Sequence, residues 1–128
     1  MSLTRVMLAP VVVAVAVFAS PRPSLAAQKS SAAGQRIYDR ECATCHGPEG
    51  KGDGETATYL SPQPQDFTTG IVQKRSDEFL TTVISKGGVA KGLSESMPAF
   101  PKLSKSELQG VVAYVRELAK GAPGKKPQ

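Results

Sequence analysis

Cys42-Ala43-Thr44-Cys45-His46 gathers both cysteines and the single histidine of the chain into five consecutive positions. Thiol sulfur and imidazole nitrogen are donors that bind transition metals, and thiols also form disulfides or add to activated carbon. On a helical turn, residues at i and i+3 share a face. Two thiols so placed reach two points along one edge of a flat ligand, and the next residue presents a ring nitrogen from the same side. A disulfide or thiol redox pair needs only the cysteines, but it belongs at a helix start after a strand, and no segment here alternates as a strand. A structural zinc site wants four ligands, which one His and two Cys cannot supply unless carboxylates or a second chain contribute.

The remaining chemistry is covalent attachment of haem, for which C-x-x-C-H is the sequence signature. Two thiols would take the two vinyl groups and His46 would face the iron. An electron-transfer haem takes a second axial ligand, and a Met thioether opposite the His raises the reduction potential. Met1 and Met7 lie in an N-terminal segment that reads as removable, which leaves Met97. It sits in Ser96-Met97-Pro98-Ala99-Phe100, where the following proline biases it towards extended backbone and holds a side chain out of a loop. Taken alone, a Met beside a Pro is more often a core gap-filler. Beside a haem held at His46 it becomes the candidate second iron ligand.

The elements that must position these residues read as helices and long loops. Gln28 to Ala33 form a polar lead-in with Ser30 or Ser31 as N-cap, and the spacing of Ile37, Tyr38, Cys42 and Cys45 predicts a helix to about Cys45, stopped by Gly47-Pro48. Residues 47–75 hold glycines and prolines in irregular order, including Gly50, Gly52, Gly54, Pro62 and Pro64. A loop of this length inside a small domain is expected to wrap something, with Phe67 as its inward anchor. A second helix is signalled by Ser76 as N-cap, Asp77 and Glu78 in its first turn, and Gly87-Gly88 at its end. Gly92 to Pro101 reads as extended or turned. The last helix opens on a capping box, Ser104 with Glu107, carries the apolar stripe Leu108, Val111, Val112, Val115 and Leu118, and is expected to reach Lys120. The architecture is therefore all-α with long loops.

With those motifs in place, the chain resembles the class I cytochromes c over nearly its whole length beyond the N-terminal segment. Gly34 and Tyr38 are similar to the Gly and aromatic pair of that family's first helix, which crosses a C-terminal helix carrying an aromatic, here Tyr114. Gly92 to Pro101 resembles its distal-ligand loop, and Pro64-Gln65-Asp66-Phe67-Thr68 resembles loops of some bacterial members. The resemblance implies a cytochrome c-like fold of three main helices around one covalent haem c. Cys42 and Cys45 would form the thioethers, and His46 and Met97 would be the axial iron ligands. It also implies that a loop proline carbonyl, of Pro62 or Pro64, accepts a hydrogen bond from His46. A glycine inside a helix costs about 1 kcal/mol relative to alanine, which makes sense at Gly34 if another helix must approach there.

The ends and the charge set the context. Arg5 followed by the apolar stretch Val6 to Ala19, a break at Pro21-Arg22-Pro23 and the small residues of Ser24-Leu25-Ala26 or Leu25-Ala26-Ala27 read as a cleaved signal over residues 1–27. The apolar stretch, interrupted by Pro10, falls short of the roughly 20 residues that span a bilayer. The expected organisation is a signal at 1–27, a cytochrome c domain at 28–120 and a flexible tail at 121–128. Without the signal the balance is 14 basic against 11 acidic residues, interspersed enough to exclude a nucleic-acid footprint. Lys86, Lys91 and Lys102 flank the Met97 region and read as a docking rim for acidic partners or as solvated surface.

With both axial positions filled and no further His or Cys, the reading is a periplasmic one-electron carrier and not an enzyme. Its partners would be redox proteins met by transient docking and, during maturation, the haem-attachment machinery, with no nucleic acid and no stable membrane insertion. The alternatives are a haem-bearing subunit of a periplasmic dehydrogenase or oxidase complex, and a haem enzyme with a labile Met ligand.

Overall fold

The structure, a computed structural model, describes residues 24–121. Most of the expected signal segment and all but the first residue of the expected tail lie outside the described residues. Four α-helices follow in chain order: α1 at Leu25–Glu41, α2, a single turn, at Ala43–His46, α3 at Asp77–Lys86, and α4 at Lys105–Leu118. Short 3-10 turns punctuate the loops, and no strand occurs among the described residues. The fold is all-α, as expected.

The first helix differs from expectation at both ends. It is already formed at Leu25, and Ser31 does not cap it. Ser31 is turned inward, 5% exposed, and its hydroxyl donates to Glu117 Oε2 at 2.5 Å. A serine caps a helix only when its oxygen has no better partner, and here the neighbouring helix supplies one. At the other end the helix closes at Glu41, and Cys42 (φ −118°) separates it from α2.

The inward stripe of α1 is Ser31, Gly34, Ile37 and Tyr38, a helical spacing. It crosses α4 at Gly34, where a built Cβ would lie 1.9 Å from the Gly110 carbonyl oxygen. The two helices touch backbone to backbone, and only a residue without a side chain fits. One turn on, Tyr38 meets Tyr114 edge to face, with centroids 5.2 Å apart and planes at 64°, the geometry that aromatic quadrupoles favour. Around this crossing Ile37, Tyr38, Val72, Ile84, Leu108, Val111, Val112, Tyr114, Val115 and Leu118 form one buried cluster.

The capping signals read from sequence are realised. Ser104 Oγ accepts from Glu107 N–H and the Glu107 carboxylate accepts from Ser104 N–H, while Ser76 Oγ accepts from Phe79 N–H at 3.1 Å. α4 ends at Leu118, two residues short of Lys120. From α4, Arg116 ties down the end of the long loop that precedes α3. It donates to the carbonyls of Val72 and Arg75, both at 2.6 Å, and to Asp77 Oδ1 at 2.7 Å.

Candidate functional site

The Cys-x-x-Cys-His run keeps helical backbone bonding across the break at Cys42. Cys42 N–H donates to the Tyr38 carbonyl at 2.8 Å and His46 N–H to the Cys42 carbonyl at 2.9 Å. Tyr38 is fully buried, and its hydroxyl donates to the Gly47 carbonyl at 2.7 Å, fixing the point where the chain leaves α2. Burial pushes this phenol well above its usual range, so it remains a donor.

The polar excursion at Lys51 to Glu55, to which sequence reading assigns no role, has one here. Gly52 N–H donates to the His46 carbonyl at 2.9 Å, Gly54 N–H to that of Cys45 at 3.1 Å, and Thr56 N–H to that of Thr44 at 3.1 Å. These are the carbonyls that a helix of one turn leaves without partners. The loop therefore caps α2 through main-chain atoms. It comes close enough that a Cβ at Gly52 (φ +75°) would lie 2.3 Å from the Pro64 carbonyl oxygen.

Cys42, Cys45, His46 and Met97 all line one cavity of about 340 Å³. Its walls include Tyr38, Leu60, Phe67, Val72, Phe79, Leu80, Ile84, Phe100, Val111 and Val115, so it opens into the core. Interiors close-pack, and voids much larger than a water are few. A water occupies about 30 Å³ of liquid, so an apolar-walled space of this size in a small domain is built for an occupant. Both cysteines are free thiols. Burial, with the charge of Glu41 beside it, pushes the Cys42 thiol up to about 12. That is the reverse of the acidic thiolate of a disulfide oxidoreductase. Thr56 Oγ1 donates to the Thr44 carbonyl and lies 3.2 Å from Cys45 Sγ, which leaves the Cys45 thiol as donor in that pair.

His46 stacks on Phe67, with ring centroids 4.6 Å apart and planes at 25°. Its Nδ1 is buried with no hydrogen-bond partner. Burial lowers its pKa, keeping the ring neutral and ready to bind a metal, while the Gln65 backbone pulls weakly the other way. Pro62 and Pro64 both line the cavity, but the backbone group acting on His46 is that of Gln65, and the Pro64 carbonyl faces Gly52. Met97 is carried by a loop bonded to the end of α3: Gly88 N–H donates to the Met97 carbonyl at 3.0 Å, Met97 N–H to Ser94 at 3.2 Å, and Phe100 N–H to Ile84 at 2.9 Å.

Lys86, Lys91 and Lys102 are exposed and none of them lines the cavity. The cation that does is Arg75, whose guanidinium lies over the Phe79 ring at 4.5 Å, with Lys91 Nζ 5.7 Å from the same ring. Tyr59 is 86% exposed and contributes nothing to the core. No group of three or more His, Cys, Asp or Glu side chains is placed to hold a metal ion among the described residues. Sequence reasoning missed Arg116, Arg75 and the Gly52-to-Thr56 cap. Only the glycine spacing at 50, 52 and 54 hinted at the last.

A family model described as Cytochrome c matches residues 31–119. The chain is 29% identical over 89 residues to cytochrome c-554(547) of Halothiobacillus neapolitanus, covering 69% of this chain and 96% of that one. It is 32% identical over 104 residues to the Cbb3-type cytochrome c oxidase subunit FixP of Azorhizobium caulinodans, covering 80% of this chain but only 31% of the subunit. Among solved structures it is similar to a chain of the reducing HAO-like protein complex of Kuenenia stuttgartiensis. That match has a TM-score of 0.57 and 29% identity, and covers 67% of this chain and 41% of the other.

Proposed function

The chain belongs to the cytochrome c family, and from that premise we propose that it is an exported one-electron carrier holding a single haem c. Cys42 and Cys45 would form the thioethers, and His46 and Met97 would be the axial ligands. One observation carries the reading: both thiols, the sole imidazole and the one thioether among the described residues face a single large apolar cavity. That donor set fits haem, with two free thiols available for vinyl addition, a neutral imidazole, and a soft sulfur donor.

Haem, when bound, supplies an iron that exchanges one electron. The chain's own residues do the rest. Tyr38 and the Gly52-to-Thr56 cap fix the attachment turn. The apolar walls exclude water, and exclusion of solvent is one of the levers by which a protein sets the potential. Arg75 and Lys91, gathered on Phe79, give the cavity's border positive charge that steers redox partners with acidic surfaces through transient docking.

Residues 1–27 act as the export signal, which puts the domain at 28–120 in the periplasm, where the haem-attachment machinery meets it. No helix of the described residues is long and apolar enough to cross a membrane. The similarity to one part of a larger oxidase subunit favours a second reading, a haem-bearing subunit held in a complex.

Mature protein isolated from its host decides. The expected result is a polypeptide beginning near Ala27 or Gln28 with the added mass of one haem, a low-spin spectrum and a reversible one-electron titration. Colourless material at polypeptide mass would overturn the reading. A high-spin, five-coordinate ferric haem would move the assignment to an enzyme, and co-purification at fixed stoichiometry would move it to the complex subunit.

A further inference from the structure

An imidazole bound to iron through one nitrogen still turns about its bond to the side chain, because torsions of this kind have broad wells. Its plane is normally fixed by a hydrogen bond at the other nitrogen. In this chain that device is incomplete. Nδ1 of His46 is buried without a hydrogen-bond partner.

What faces the ring instead is Phe67, stacked at 4.6 Å and 25°. The phenyl ring has little freedom of its own. Its backbone N–H donates to the Gly50 carbonyl at 2.7 Å, and a Cβ built on Gly50 would come within 2.9 Å of Phe67 Cδ2. Gly50 in turn is tied by its own N–H to the Gly47 carbonyl at 3.2 Å. Two residues further, Gly52 N–H bonds the carbonyl of His46 itself. The contacts form a closed circuit: His46 backbone to Gly52, along the chain to Gly50, to the Phe67 backbone, and through the stacked rings back to His46.

We propose that Phe67 is the positioning residue that sets the orientation of the His46 imidazole plane, in place of a proline carbonyl bonded to Nδ1. The inference rests on His46 being the haem ligand as read above. It concerns orientation and not attachment, so replacing Phe67 leaves haem content unchanged while altering what the iron senses.

The plane of an axial imidazole governs how its π orbitals overlap those of the iron. The spread of the paramagnetically shifted haem methyl resonances in the ferric protein reports that plane. The test compares wild-type holoprotein with Phe67→Leu, Phe67→Met and Phe67→Tyr, each first checked by mass for one haem. Leu and Met fill space without a ring face, so the methyl spread and the reduction potential are expected to shift. Tyr keeps the face and is expected to restore both. A Leu or Met variant with full haem, lowered thermal stability and an unchanged methyl spread would make Phe67 merely structural and overturn the proposal. Should the ringless variants fail to accumulate, wild-type reduced protein decides by cross-relaxation between the protons of Phe67 and the His46 ring. Its presence supports the stack in the loaded protein, and its absence refutes it. Wild-type material without haem would show by mass alone that the ligand assignment had failed, and the proposal would fall with it.

Discussion

Replacing Gly34 with alanine sets two effects of opposite sign against each other. Helix propensity favours the change by about 1 kcal/mol. Packing opposes it, because the new methyl would sit 1.9 Å from the Gly110 carbonyl oxygen, 2.1 Å from its carbon and 2.7 Å from the Val111 nitrogen. Ordinary contact begins near 3.4 Å, so α4 must retreat by about 1.5 Å along that line. The obstacle is helix backbone, which cannot rotate aside like a side chain. Overpacking of this kind costs about 1–3 kcal/mol. The retreat also loosens the Tyr38–Tyr114 edge contact, a pair of a type worth about 0.5–1.5 kcal/mol.

The lost aromatic contact roughly offsets the propensity gain, which leaves a net loss of about 1–3 kcal/mol. In a domain of this size that lowers the thermal midpoint by at least about 5 °C. Denaturant titration of the oxidised holoprotein, followed by far-ultraviolet circular dichroism, measures it as a shift of midpoint at constant slope. Ala32→Gly, at an exposed position of the same helix, calibrates the propensity effect alone. A Gly34→Ala protein as stable as wild type, or more so, would refute the backbone-to-backbone crossing.

Met97→Ala is expected to leave the haem attached and lower its reduction potential; an unchanged potential on titration removes Met97 from the ligand set. Arg116→Met should cost about 2 kcal/mol in a denaturant titration, since it strips charged donors from two carbonyls and Asp77. Asp77→Asn should cost under about 1 kcal/mol because that side chain is 76% exposed. Glu107 is held below the usual glutamate range by bonds from the Ser104 N–H and hydroxyl. Its stabilisation is complete above the ordinary glutamate pKa and is lost as pH falls through the lower folded value, so Glu107→Gln should flatten that part of the acid limb relative to wild type. Chain made without haem should give little cooperative helical signal, since the cavity walls include Tyr38, Val111 and Val115 of the core; a native-like melt of apoprotein would contradict this.

Features that depend on neighbours in sequence were legible. The capping box at Ser104 and Glu107, the cap at Ser76 and the apolar stripe of α4 are local chemistry, and each appears as read. Gly34 was legible for a different reason, since a glycine in a helical pattern demands a cause and a crossing helix is the usual one. What escaped were contacts that only the tertiary fold creates. Ser31 reads as a cap until Glu117 offers its hydroxyl a partner 86 positions away. Arg116 carries no signal in the sequence, yet it holds a loop more than forty positions earlier. Tyr59 has the composition of a core residue and lies outside. In the site, Cys42, Cys45 and His46 announce themselves by spacing. Their backbone supports announce nothing, because a main-chain donor can belong to any residue.

That last property has a practical side. The carbonyls of Thr44, Cys45 and His46 are held by peptide N–H groups of Gly52, Gly54 and Thr56, and the intervening or adjoining side chains of Lys51 and Glu55 are exposed. A fluorophore, a cross-linker or a reversed charge can therefore be introduced at position 51 or 55, a few residues from Cys45. The scaffold that aims it would not register the change.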